Sequence, residues 1–217
     1  MDKLDFSDTR YDDEFKEFTD APIDMKKQVF ENMEQLWHQA DFSWVYQENC
    51  RKFLLKDKDY IKKSNLVDLG CGKGHALIKF SHDWGFKMIT GVELNREYYN
   101  ICLDNIALLR KTKPGYMKTP IGVLNMNAKD YSFDKDDNFL YLFNPFGRET
   151  TRKVIKNIKT SLVLFPRKFY IIYNNPVHVK EFIERGFKII HKQGDRGCMI
   201  LVNINTPTTT PSSLGTK

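Results

Sequence analysis

The segment Asn65-Leu66-Val67-Asp68-Leu69-Gly70-Cys71-Gly72-Lys73-Gly74-His75 constrains the fold more than any other part of the chain. A short apolar run enters a turn with a glycine at every second position and leaves it into an amphipathic stretch, His75–Asp83. The run reads as a buried strand and the stretch as a helix, so together they open a βαβ unit. Glycine permits positive φ and takes away side chains that would hold a ligand off the backbone, and the helix after the turn offers its first amides. Spacing separates the nucleotide-binding readings of such a loop. A P-loop needs GxxxxGK[ST], which is absent. The dinucleotide fingerprint GxGxxG would need its third glycine at position 75, where His75 stands. What remains is Asp-x-Gly-x-Gly-x-Gly, from Asp68 to Gly74.

The rest of the chain continues the alternation. Strands are expected at Lys87–Glu93, Gly122–Met126, Phe139–Asn144 and Lys168–Tyr173, with helices at Glu97–Arg110, Glu149–Ser161 and His178–Arg185. Phe187–Lys192 and Cys198–Asn205 are two strand-like runs around the turn-forming Gln193–Gly197, which predicts a terminal antiparallel hairpin. Ahead of the first strand, from Phe15 to Lys63, Val29, Met33, Leu36 and Trp37 recur at helical spacing. The expected fold is α/β, a seven-stranded, mostly parallel sheet with helices on both faces and a terminal antiparallel hairpin. A chain of 217 residues suits one such domain. Its parts are a helical extension over 1–64, a core over 65–205 and a disordered Thr/Pro/Ser-rich tail over 206–217.

Two further elements lie where a nucleotide ligand of this sheet would reach. Ile89-Thr90-Gly91-Val92-Glu93-Leu94 is an apolar run ending in an acid about twenty positions beyond the glycines, where a carboxylate can accept two ribose hydroxyls. Asn125-Met126-Asn127-Ala128-Lys129-Asp130 follows the third strand. With these in place, Val67-Asp68-Leu69-Gly70-Cys71-Gly72-Lys73-Gly74 resembles motif I of class I S-adenosylmethionine-dependent methyltransferases. The resemblance covers 65–205 and implies a Rossmann-like core. It implies that Asp68 orients the cofactor ammonium, that Gly70, Cys71, Gly72 and Gly74 shape the loop, and that Glu93 takes the ribose with Leu94 beside it. Asn127 and Ala128 would receive the adenine, with Asn127 standing where the family often carries an acid and Asp130 as the alternative contact. The implied cofactor is S-adenosyl-L-methionine and the implied product S-adenosyl-L-homocysteine. His75 would contact that cofactor or simply begin its helix.

The fourth strand ends in Asn144-Pro145-Phe146, which resembles the Asn-Pro-Pro-Tyr/Phe motif of amine N-methyltransferases with one proline missing. An amide oxygen and a main-chain carbonyl there can accept both protons of an amine and aim its lone pair at the methyl group. Phe146 would stack on a flat or cationic acceptor. Asn174, after the fifth strand, lies on the same sheet edge, and Tyr11, Phe15, Phe18 and Thr19-Asp20-Ala21-Pro22 in the extension are candidates for covering the cleft. The glycine loop, Asn-Pro-Phe-Gly and the helical extension are also similar, more loosely, to lysine methyltransferases of the Dot1 type. The acceptor is expected to be an amine or hydroxyl of a small molecule, glycan or polypeptide. An RNA methyltransferase and a non-catalytic scaffold of the same fold are the alternatives.

Composition sets the remaining bounds. The four cysteines, Cys50, Cys71, Cys102 and Cys198, stand singly, without ligand spacing, and are expected to be reduced packing residues, with no metal site. A net charge of +6 permits a phosphate-rich partner, but the charge is mixed along the chain, so nucleic acid is not the expected one. Arg148, Arg152, Lys153, Lys156 and Lys159 recur along one expected helix, as a surface for an anionic acceptor or as a solvated face. With no signal peptide and no apolar run long enough to span a membrane, a cytoplasmic protein is expected.

Overall fold

The computed structural model describes residues 50–143, 145–193 and 197–203. Seven strands, β1 (Asn65–Leu69), β2 (Met88–Glu93), β3 (Ile121–Asn125), β4 (Asp137–Phe143), β5 (Tyr170–Asn174), β6 (Phe187–Lys192) and β7 (Cys198–Asn203), form one sheet in the order β3-β2-β1-β4-β5-β7-β6. The pairs joining β1 through β5 are parallel, and β7 runs antiparallel between β5 and β6. The expected sheet and terminal hairpin are thus both present, with strand ends within two residues of those read from the sequence. The centre is buried on both faces, so β1 and β4 are almost uninterrupted apolar runs.

A helical turn over 50–54 and the short α1 (Lys58–Lys63) precede the sheet; α2 (His75–Asp83), α3 (Arg96–Thr112), α4 (Arg148–Leu164) and α5 (Val179–Ile183) follow. α2 and α3 cover one face through Leu77, Phe80, Cys102, Ile106 and Leu109, packed on Leu66, Phe139, Tyr141 and Ile172. α4 and α5 cover the other through Val154, Ile155, Ile158 and Phe182, on Val67, Leu69, Leu140, Leu142 and Ile171. α3 starts where it does because Asn95 caps it, its Oδ1 accepting from the N–H groups of Glu97 (2.9 Å) and Tyr98 (3.2 Å).

The end of the helical extension belongs to this core, since Cys50, Leu54 and Ile61 are fully or almost fully buried in the first apolar cluster. Cys50 is joined to Cys198 by a disulfide, which corrects the expectation of four reduced cysteines; Cys71 and Cys102 are free and buried. The two partners are 148 positions apart, and isolated cysteines carry no local signal of such a pairing. Among the described residues no helix is long and apolar enough to cross a membrane. Tyr11, Phe15, Phe18, Thr19 to Pro22, Asn144 and the tail from 204 lie outside the described residues.

Candidate active site

The carboxyl ends of β1, β2 and β3 meet at the glycine turn. Gly70 and Cys71 donate their N–H groups to the Val92 carbonyl (2.8 and 3.1 Å), which pins the turn to the end of β2. Gly70, Gly72 and Gly74 all have positive φ. The three differ in what surrounds them. A Cβ at Gly74 would lie 2.4 Å from Cys102 Sγ, and one at Gly70 would lie 2.5 Å from Pro145 Cβ, whereas one at Gly72 would meet nothing within 4 Å. Gly74 and Gly70 therefore permit close packing, and Gly72 leaves open space beside its backbone. Gly74→Ala is expected to destabilise the protein by roughly 2–4 kcal/mol through overpacking and the left-handed backbone. Gly72→Ala should cost only about 1 kcal/mol. Thermal or denaturant melts of the two variants check this difference.

Two carboxylates face the turn from the same side of the sheet. Asp68 is 2% exposed, and its Oδ2 has no hydrogen-bond partner. Burial, and after it the charge of Glu93, holds its carboxyl well above the usual carboxylate range. Glu93 is built into the turn. Its Oε2 accepts from the Gly72 N–H (2.9 Å) and its Oε1 from the Asn95 N–H (2.8 Å). Burial raises its pKa, while the backbone N–H groups of Asn95, Gly72 and Leu94 pull it back down. Each oxygen keeps a further lone pair, so Glu93 can order the turn and still accept hydroxyls.

Around this pair, Leu94 is half exposed at the rim. Asn127 caps the short turn Ala128–Asp130, its Oδ1 accepting from the Lys129 N–H (3.1 Å), and Asp130 is exposed. Asn127 keeps a lone pair and its amide N–H groups for a purine edge. Ala128 is buried in the second apolar cluster. Asn125, which the sequence did not single out, donates to the Glu93 and Leu94 carbonyls and ties β3 to this corner. His75 begins α2 with Nε2 buried and unpartnered; burial and then the Lys79 charge push its pKa down to about 4, which keeps the ring neutral near pH 7.

Beyond β4, Pro145 packs against Gly70 and so joins the end of that strand to the glycine turn. Phe146 is 9% exposed and packs within the second apolar cluster. Asn174 is 1% exposed, and its Nδ2 donates to the Tyr141 hydroxyl (3.0 Å), leaving Oδ1 buried without a partner. Register pairs Asp68 with Tyr141 and Phe143 with Asn174. Side-chain alternation then puts Asp68, Tyr141 and Asn174 on one face of three adjacent strands. Gly91 is a second residue that sequence reading passed over. A Cβ there would lie 2.5 Å from Leu77 Cδ1 and 2.8 Å from Cys71 Sγ, so only glycine lets α2 and the turn sit down on β2.

The architecture has solved counterparts. Magnesium protoporphyrin IX methyltransferase from Synechocystis PCC 6803 with bound S-adenosylmethionine superposes with a TM-score of 0.56 over 86% of this chain and 92% of that one, at 13% identity. A SAM-dependent methyltransferase from Aquifex aeolicus gives 0.52 over 70% and 88%, at 14% identity. The putative methylase HI0767 from Haemophilus influenzae gives 0.52 over 74% and 97%, at 15% identity. In sequence, a tRNA (guanine-N(7)-)-methyltransferase from Arabidopsis thaliana is 29% identical over 86 residues, which is 40% of this chain. The match spans about a third (34%) of the length of that relative. No protein-family model matches the chain. The fold is that of the class I methyltransferases, and nothing in these likenesses supports the Dot1 resemblance.

Proposed function

We propose that this chain is an S-adenosylmethionine-dependent methyltransferase acting on an amine or hydroxyl. The observation that carries the reading is the pair Asp68 and Glu93 around an open glycine turn. The orphaned, buried Oδ2 of Asp68 fits an ammonium group. The free lone pairs of Glu93 fit a ribose diol, and the side-chain-free approach at Gly72 fits the chain between them. Leu94, Ala128 and Asn127 form the adenine end. A scaffold would have no need for this set.

When bound, S-adenosylmethionine supplies an electrophilic methyl group and leaves as S-adenosylhomocysteine. The chain's own residues then have a positioning task. Asn174, fixed by Tyr141 and facing the same side as Asp68 from two strands away, offers its free Oδ1 to an N–H or O–H of the acceptor. Asn144 takes the second such contact by its likeness to the amine-methyltransferase motif. Held in this way, the acceptor would present its lone pair to the methyl group that the bound cofactor would supply, and its proton would pass to solvent. His75, neutral near pH 7, adds no competing positive charge beside the cofactor.

Transfer of tritiated methyl from S-adenosylmethionine into panels of amines, alcohols, peptides and RNA tests the reading. Incorporation into one class is expected, with Asn144→Ala and Asn174→Ala lowering turnover at least tenfold while cofactor affinity changes less than threefold. Turnover unchanged in both variants would remove these assignments. Failure of every acceptor with cofactor bound would favour the scaffold.

A further inference from the structure

Away from the glycine turn, folding adds Arg185 to the cations that recur along α4. Arg152, Lys156, Lys159, Thr160 and Val163 of α4, with Arg185 from beyond α5, line a shallow groove of about 370 Å³. Positions 152, 156, 159 and 163 follow one another at three or four residues, about 4.5–6 Å of axial rise per step. The cations therefore form a track along the helix.

Part of the track is pre-oriented. Glu181, whose side chain is 8% exposed, accepts two hydrogen bonds from Arg152 (2.8 and 3.1 Å) and one from Arg185 (2.7 Å), and Arg148 stands 3.4 Å away. One carboxylate thus holds three guanidiniums, and each retains donors outside the pair. Lys156 and Lys159 are exposed and make no ion pair among the described residues. At the far end of α4, Val163, Leu164 and Phe165 are exposed, so apolar surface adjoins the charge.

The direction of the track matters. α4 starts at Arg148, three residues after the Pro145 that packs on Gly70, and runs away from the glycine turn; from Arg148 to Lys159 is about 16 Å. A partner that uses all of it carries regularly spaced negative charges over several repeats, together with flat apolar faces. A single phosphate or nucleotide is too short. An acidic polypeptide matches the charge, but it does not tie a flat ring to every charged repeat as a polynucleotide does.

We propose that this track binds the phosphodiester backbone of a polynucleotide strand whose end reaches the cleft. The proposal rests on the methyl-transfer reading only in making that strand the acceptor. Binding of a fluorescent, unstructured 20-nucleotide RNA to the full chain, by anisotropy across a salt series, tests it. Wild type is expected to bind below about 10 µM at low salt and to lose affinity steeply as salt rises. The exposed double substitution Lys156→Glu/Lys159→Glu should weaken binding at least tenfold and reduce the salt slope by about 1.4, for two lost phosphate contacts. Its affinity for S-adenosylmethionine should not change. Equal RNA binding by variant and wild type overturns the proposal, as does no binding by wild type or equally effective competition by polyglutamate. RNA binding that the variant loses, in a protein that does not bind S-adenosylmethionine, would support the track and remove the methyl-transfer reading.

Discussion

Asp68→Asn is expected to raise the melting temperature of the cofactor-free protein while weakening S-adenosylmethionine binding by about 10- to 100-fold, the range for a charge-assisted hydrogen bond. The two effects have one cause. Burial, and then Glu93, raises the Asp68 pKa, so the folded state holds that proton more tightly than the unfolded chain does. Stability from this group is therefore fully present below the ordinary carboxylate value and is lost as pH rises through the raised one; above the ordinary value the buried carboxyl is a cost, first in the proton it retains and then in its charge. Asparagine removes the cost, and about 2–4 °C of melting temperature accompanies each kcal/mol recovered in a domain of this size. An ammonium at Oδ2 gives the same carboxylate a partner. Wild-type affinity should then climb with pH through the raised range, with a proton released on binding, and the variant should lose that dependence. Melting curves and calorimetry between pH 5 and 8 read both effects. A lower melting temperature with unchanged affinity would make Asp68 a packing residue.

Opening the Cys50–Cys198 disulfide is expected to have the largest effect on stability. The crosslink spans 148 positions, and chain entropy alone gives about 5 kcal/mol for a loop of that size. This corresponds to a fall of roughly 10–20 °C. Cys50→Ser and Cys198→Ser should lower the melting temperature equally, the double variant should lower it no further, and dithiothreitol should reproduce the shift only in wild type. Four titratable thiols in protein purified without reductant would contradict the crosslink. A persistent disulfide would also bear on location, since such bonds survive mainly in oxidising compartments.

Local pattern carried most of the sheet. Asn65–Leu69, His75–Asp83 and Phe187–Lys192 match the elements read from the sequence because short apolar runs and amphipathic stretches are set by neighbours in the chain. The glycine turn and Glu93 were legible for the same reason, their spacing being chemical. What escaped depends on contacts distant in sequence. Gly91 matters through Leu77 and Cys71, Asn174 is oriented by Tyr141, and Cys50 finds Cys198 only once the helix before β1 packs on the sheet. The basic track was visible as a periodicity, but Arg185 and the orienting Glu181 join it from another helix and the residues after it.

The most direct measurement is calorimetric titration of S-adenosylmethionine and S-adenosylhomocysteine into the folded protein, beside Glu93→Ala. One site with affinities in the micromolar range for both ligands is expected, weakened at least tenfold in the variant, which loses both the ribose contact and the tie to Gly72. No heat of binding to folded wild type, or binding that Glu93→Ala leaves intact, would contradict a cofactor site at the ends of β1 and β2.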